Sequence, residues 1–374
     1  MISKALSLIP RFMLIKFKEV SIPWRINLSV TNLCNAMCKM CNIWRTYKEH
    51  PQLINNEMTV EDYRKLFDEV SSHLLWLHIT GGEPFLKRDL TKVVEVAASR
   101  CNNLVIVDTS TNGLIPKHIV KTTERILEIL HTKKIIYGIG ISIDGPPDVH
   151  DSIRGINGAW DKAIETLITL KKLEASYDNF FVHVNYTITQ YNSGYLRMTY
   201  ELLQKVADLN LSDLSISIEH VGLQFQNFAE QPNHIWANKK ETMLEDLKWL
   251  LNNMKMVKLT RERLPERLRF KFKEYFTELA TQYIIDPSKR YFKCEALRSS
   301  VFIDPYGNVF PCTIWSFKLG NIREESLKKI LYSPPSLRAR RLIINERCPN
   351  CLSGCEIWPS LLLHKWGLIL SEVI

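Results

Sequence analysis

The sequence has no apolar run long enough to cross a bilayer: the N-terminal MISKALSLIPRFMLIKFK is broken by Lys4, Pro10, Arg11 and Lys16, and the C-terminal WPSLLLHKWGLILSEVI by His364 and Lys365. The first stretch also lacks a small-residue cleavage site, which excludes a secretory-signal reading. Dense runs of Lys and Arg interleaved with stacking aromatics are missing, so no nucleic-acid partner is expected. Nothing in the composition favours disorder. Of the 374 residues, 45% are hydrophobic and 24% charged, enough for one large α/β core and a smaller appendage. The formal charge of +9 permits an anionic partner without choosing one. These absences point to the cytoplasm, where nine cysteines stay reduced and a cluster of them reads as metal ligands rather than disulfides. The basic, apolar ends are also compatible with peripheral membrane contact as amphipathic segments, although helices folded onto the domain explain them as well.

The middle of the chain has a rhythm. Short β-rich runs recur at 25–30, 74–80, 103–111, 135–143, 180–188 and 214–219, and each of the first five precedes a helix candidate. TVEDYRKLFDEVSS starts behind Thr59, a good N-cap; LTKVVEVAAS, KTTERILEIL and AWDKAIETLITLKKL follow later strands. Six such alternations mean right-handed crossovers and a parallel sheet, open or curled into a barrel. Beyond residue 222 the rhythm stops, giving helix candidates near 238–256 and 268–283 and then a Cys-rich stretch over 291–358.

The unusual residues fall at the carboxyl ends of the strands, where parallel α/β folds collect ligands. Cys34, Cys38 and Cys41 follow the first strand; Gly81, Gly82, Glu83 and Pro84 end the second; Thr111, Asn112 and Gly113 end the third; Ser142 and Asp144 the fourth. Asn185 and Thr187 come late in the fifth strand, and Glu219 and His220 close the sixth. Three thiolates suit an iron–sulfur cluster or zinc. A cubane has four irons, so three cysteines leave one corner without a protein ligand, open to a substrate or cofactor. Adjacent glycines let backbone approach a ligand, and Glu83 is positioned in sequence to accept from a cationic amine.

Cys34-x3-Cys38-x2-Cys41 after the first strand, with Gly81-Gly82-Glu83-Pro84 after the second, resembles the radical S-adenosylmethionine enzymes over about residues 22–222. The resemblance implies an α/β fold, a partial (β/α)6 barrel with a small C-terminal Cys-rich α+β domain. It implies a 4Fe-4S cluster on the three cysteines, with S-adenosylmethionine chelating the fourth iron and a reductase such as flavodoxin or ferredoxin supplying the electron. Cleavage then gives methionine and a 5'-deoxyadenosyl radical that abstracts hydrogen from a substrate. By the same resemblance the Gly81 to Glu83 edge holds the methionine amino group, Ser142 and Asp144 the ribose, Arg154 the carboxylate, and Asn185 or Thr187 the nucleoside.

Further on, Cys294-x12-Gly307-x4-Cys312 and Cys348-x2-Cys351-x3-Cys355 resemble the auxiliary-cluster extensions called SPASM and twitch domains. VFIDPYGNVFPC reads as a β-hairpin turning at Pro305 and Gly307. Five cysteines cannot complete two four-cysteine clusters. The expectation is one auxiliary 4Fe-4S cluster on Cys294, Cys312 and two of Cys348, Cys351 and Cys355, against a zinc staple as the bland competitor.

The expected division is an amphipathic segment over 1–21, the barrel over 22–222, a helical connection over 223–285, the auxiliary domain over 286–358 and an apolar tail over 359–374. With the first strand beginning near 25, no room is expected for a peptide-binding domain ahead of the barrel. Cys101 reads as an inert buried thiol, His78 as a core residue, Asp304 as a turn cap, and the run 261–273 as a solvated helical face. The catalytic residues and the substrate, peptide or small molecule, are left open. A lipid-directed version of the chemistry and a zinc-stabilised binding module without catalysis stand as alternatives.

Overall fold

The computed structural model describes residues 22–227, 237–257 and 264–365. The apolar ends, 1–21 and 366–374, lie outside that range, and with them the expectation of membrane contact. No helix among the described residues is long and apolar enough to cross a membrane.

One nine-stranded sheet organises the chain. Six parallel strands, β1 (Arg25–Ser29), β2 (Trp76–Thr80), β3 (Ile106–Thr111), β4 (Ile136–Ser142), β5 (Phe180–Ile188) and β6 (Leu214–Ile218), lie side by side in chain order. Each falls within its β-rich run. Helices α1 (Val60–Val70), α2 (Leu90–Arg100), α3 (Pro116–Thr132), α4 (Pro147–Arg154), α5 (Ala159–Glu174) and α6 (Leu196–Ala207) fill the crossovers. Thr59 caps α1 as expected: its hydroxyl accepts from the Asp62 amide while Asp62 Oδ2 accepts from the Thr59 amide at 2.8 Å.

Beyond β6, α7 (Lys240–Met256) and α8 (Leu264–Ile285) form an antiparallel pair, and the Cys-rich segment contributes β7 (Ser300–Ile303), β8 (Asn308–Phe310) and β9 (Gly320–Asn321), then α9 (Leu327–Tyr332), α10 (Pro334–Ile344) and α11 (Gly354–His364). The hairpin turns as predicted. Asp304 Oδ1 accepts from the amides of Tyr306 and Asn308, both at 2.9 Å, and Gly307 takes a left-handed φ of +84°. The appendage does not build a sheet of its own. β7 pairs parallel with the free side of β1, Arg25 opposite Ser300, so the last strands extend the barrel's sheet.

The two faces of the sheet differ in chemistry. Residues turned to the helices are apolar and fully buried: Ile26, Leu28, Leu77, Ile79, Val107, Ile139, Ile141, Val182 and Val184 all belong to the main core. On β3, β5 and β6 the alternate residues keep partial exposure. They include Asp108, Ser110, His183, Asn185, Thr187, Ser215 and Ser217, so the concave face is a polar lumen rather than a packed core.

Candidate functional site

The loop after β1 is tied down from three directions. From β2, Gly82 and Glu83 donate their amides to the carbonyls of Thr31 and Leu33, both at 2.7 Å. A Cβ on Gly81 would stand 2.4 Å from Thr31 O and one on Gly82 2.3 Å from Leu33 O, so only glycine permits this approach. From α4, the carbonyls of Arg154 and Ile153 accept from the amides of Met37 and Lys39 at 2.8 and 2.9 Å. From the segment after β6, Phe225 O accepts from Asn42 N at 2.8 Å and Asn227 Nδ2 donates to Met40 O at 3.0 Å. Asn227 carries no sequence signal of this role; it lies beyond the last rhythmic strand.

Within that frame Cys34, Cys38 and Cys41 stand close enough to act electrostatically on one another. Burial pushes the Cys34 and Cys41 thiols up to about 12 and raises that of Cys38. Burial thus disfavours free thiolates at this loop, and a cationic inorganic group would offset that cost by taking the place of the protons. Arg154 Nη1 donates to Cys38 Sγ at 3.6 Å, and Asn112 Nδ2 reaches Asn35 Oδ1 at 2.7 Å and Cys34 Sγ at 3.9 Å. Among the described residues no three His, Cys, Asp or Glu side chains gather closely enough around one point to hold a single ion; a cubane spreads its cysteines over separate iron corners.

The other predicted cofactor residues surround this loop in unequal ways. Glu83 is fully buried, and its carboxylate accepts from Phe85 N at 3.2 Å, Thr111 Oγ1 at 2.9 Å and Asn112 N at 2.8 Å. Burial lifts it to about 7 against those donors. It locks β2 to β3 with both oxygens engaged; Pro84 starts the short turn that follows. Asp144 likewise has both oxygens engaged. Oδ1 accepts from Thr187 N at 2.8 Å and Oδ2 is paired with Arg154 Nη2. Burial raises the Asp144 carboxyl, while the same ion pair raises Arg154. Arg154 Nε keeps no hydrogen-bond partner. Ser142, the last residue of β4, is the register neighbour of Asn185 in the second half of β5, and both are partly exposed. His220 accepts from Leu352 N at 3.1 Å and is held down to about 4 by burial, a structural contact.

The second set of cysteines flanks β7, β8 and α11. Burial, with Glu356 and Cys351 adding to it, pushes the Cys294 and Cys312 thiols well above their usual value, and burial pushes Cys351 up to about 12. Cys348 accepts from Arg290 Nη2 at 3.1 Å. Cys355 interacts instead with His78, whose Nδ1 contacts Asp108 Oδ2 at 2.6 Å. Asp108 was not singled out in the sequence; strand alternation places it inward. Glu356 sits beside these groups, bonded to Ser300 Oγ and to Asn27 Nδ2 at 3.4 Å. Cys101 is buried and apart, its thiol against Phe67 O at 3.7 Å, as expected of an inert cysteine.

Comparison with known proteins agrees with this geometry. Residues 28–189 match the radical SAM superfamily and residues 294–355 the SPASM iron–sulfur cluster-binding domain. The antilisterial bacteriocin subtilosin biosynthesis protein AlbA of Bacillus subtilis (strain 168) is 25% identical over 331 residues, 84% of this chain and 61% of AlbA. The AdoMet-dependent heme synthase of Methanosarcina barkeri (strain Fusaro / DSM 804) is 23% identical over 82% of each chain. This chain spans 61%, 42% and 48% of the lengths of three curated relatives that it matches. Among solved structures, native anSMEcpe with bound AdoMet shares the fold, with a TM-score of 0.59 and 16% identity over 94% of this chain and 99% of that one. The three-thiol loop at the head of a parallel sheet thus falls in a radical SAM superfamily domain, and the later cysteines in a SPASM iron–sulfur cluster-binding domain.

Proposed function

We propose that the chain reductively cleaves S-adenosylmethionine at a 4Fe-4S cluster on Cys34, Cys38 and Cys41, and that the resulting radical abstracts hydrogen from a peptide held in the barrel lumen. The Gly81 to Glu83 backbone would meet the amino group, the unpartnered Nε of Arg154 the carboxylate, and Ser142 with Asn185 the nucleoside; Asp144 positions Arg154. Four thiols, Cys294, Cys312, Cys348 and Cys351, would hold one auxiliary 4Fe-4S cluster, with Cys355 turned to His78. The zinc staple and the binding module lose their ground to the SPASM match.

The observation that carries the substrate class is the lumen itself. Hydroxyls, an amide, an imidazole and a carboxylate make up most of the lining, beside Ile106 and Phe181; the polar groups pair with a peptide backbone and would leave an acyl chain facing unpaired polar atoms. That AlbA aligns over 84% of this chain supports the peptide reading, and the lipid-directed alternative finds no support. The test is anaerobic reconstitution followed by reduction with dithionite. Formation of 5'-deoxyadenosine, and a change in the electron paramagnetic resonance of the first cluster on adding S-adenosylmethionine, are expected. Absence of both ends the proposal.

A further inference from the structure

The turn between α8 and Cys294 carries a cation directed at thiols. Asn350, placed between Cys348 and Cys351, donates its side-chain amide to the carbonyls of Pro287 and Lys289, both at 2.7 Å, while Tyr283 Oη donates to Asn350 O at 3.4 Å. The turn is thereby tied to the cysteine knot, and Arg290 follows it directly. Arg290 is half-buried, and its Nη2 donates to Cys348 Sγ at 3.1 Å. Burial opposes its charge, yet Cys348, Cys294 and Cys351 outweigh that cost and hold the guanidinium above its usual value. Its Nε is buried with no hydrogen-bond partner. A guanidinium held for stability pairs best with a carboxylate, but the one on this turn, Asp286, is bound to Lys289 at 3.1 Å. Sulfur is what Arg290 meets instead.

We infer that Arg290 tunes the auxiliary iron–sulfur cluster: its N–H groups donate to the sulfur of Cys348 and to the cluster's own sulfur, and its fixed positive charge raises the cluster's reduction potential. This tuning rests on the proposed function, which puts that cluster on Cys294, Cys312, Cys348 and Cys351. Reduction moves one electron from a low-potential reductant onto a buried group already ringed by thiolates, with no proton accompanying it. A permanent cation among those thiolates favours the more negative, reduced form. Arginine suits the task because it stays charged and offers several donors in one rigid fork, where a lysine would bring a mobile, strongly hydrated point charge. Because Asn350 fixes the turn from between two of the ligands, the donor stands in place before the electron arrives. The cluster is thereby a readier electron acceptor than its thiolates alone would make it.

The test is a potentiometric titration with dithionite and ferricyanide, read by electron paramagnetic resonance. It is run on reconstituted holoenzyme and on the full chain carrying Cys34→Ala, Cys38→Ala and Cys41→Ala, where only the auxiliary cluster reports. In Arg290→Met, which removes charge and donors together, the equilibrium constant for reducing that cluster is expected to fall about tenfold, a shift of about 59 mV to lower potential for one electron. Arg290→Gln, which keeps an N–H donor without the charge, should fall in between, and it decides the matter if the methionine variant loses its iron. Lys293→Met, the same charge change at an exposed side chain three residues on, should leave the potential unmoved. A parental potential in an Arg290 variant that keeps its iron, or an equal fall in Lys293→Met, overturns the inference alone. A triple-alanine chain without about four irons overturns the proposed auxiliary cluster, and the inference with it.

Discussion

Replacing Gly82 with alanine puts a methyl where the cysteine loop already runs. The new Cβ would lie 2.3 Å from Leu33 O, 2.7 Å from Leu33 C and 2.8 Å from Asn32 O, all backbone atoms that no side-chain rotation can clear. Reaching ordinary contact needs about 1 Å of separation between β2 and the loop, a cost of about 1–3 kcal/mol for overpacking. The Glu83 N to Leu33 O bond of 2.7 Å breaks in the process, adding about 1 kcal/mol. Gly158→Ala is the contrasting control: its φ is +73°, but nothing lies within 4 Å, so only the backbone cost of about 1 kcal/mol applies and no neighbour is displaced. Chemical denaturation of the two variants should rank them in that order. Iron content after reconstitution, and the spectroscopic response of the first cluster to S-adenosylmethionine, should fall in Gly82→Ala alone. If Gly82→Ala is no less stable than Gly158→Ala and keeps its iron and its response, the glycine pair does not hold the loop and the reasoning fails.

Glu83, lifted by burial from 4.5 to about 7, binds its proton more tightly folded than unfolded; its contribution is full below pH 4.5 and is lost as pH rises toward 7, about 3 kcal/mol in all. Glu83→Gln, which cannot ionise, should show a flatter dependence of melting temperature on pH between 5 and 7 than the parent; equal slopes contradict the assignment. Cys351→Ala should remove about four irons while Cys355→Ala keeps the parental content, and the reverse result would exchange their roles. Thr59→Ala removes a capping box and should cost about 1 kcal/mol in a denaturant titration, with the cofactor response intact.

The strands were legible because their alternation and β-branched content survive in a single sequence, and the cysteine spacing marked the loop by chemistry alone. The uses of Glu83 and Asp144 were not legible, since both are set by donors on other elements: Thr111 and Asn112 in one case, Thr187 and Arg154 in the other. A carboxylate next to glycines looks the same in sequence whether it awaits a ligand or is already saturated. The clamp by Asn227 and the inward Asp108 were hidden for the same reason, being decided by contacts over 187 and 30 residues. The pairing of β7 with β1 was invisible because a four-residue strand announces itself without announcing its neighbour.

That pairing bears on biosynthesis. Strand β1 waits for a neighbour made some 275 residues later, the gap from Arg25 to Ser300, so a nascent chain on the ribosome carries an unzipped strand edge until the Cys-rich segment has been made. Closure of that seam is then a late event, and until it happens the open edge can pair with another chain.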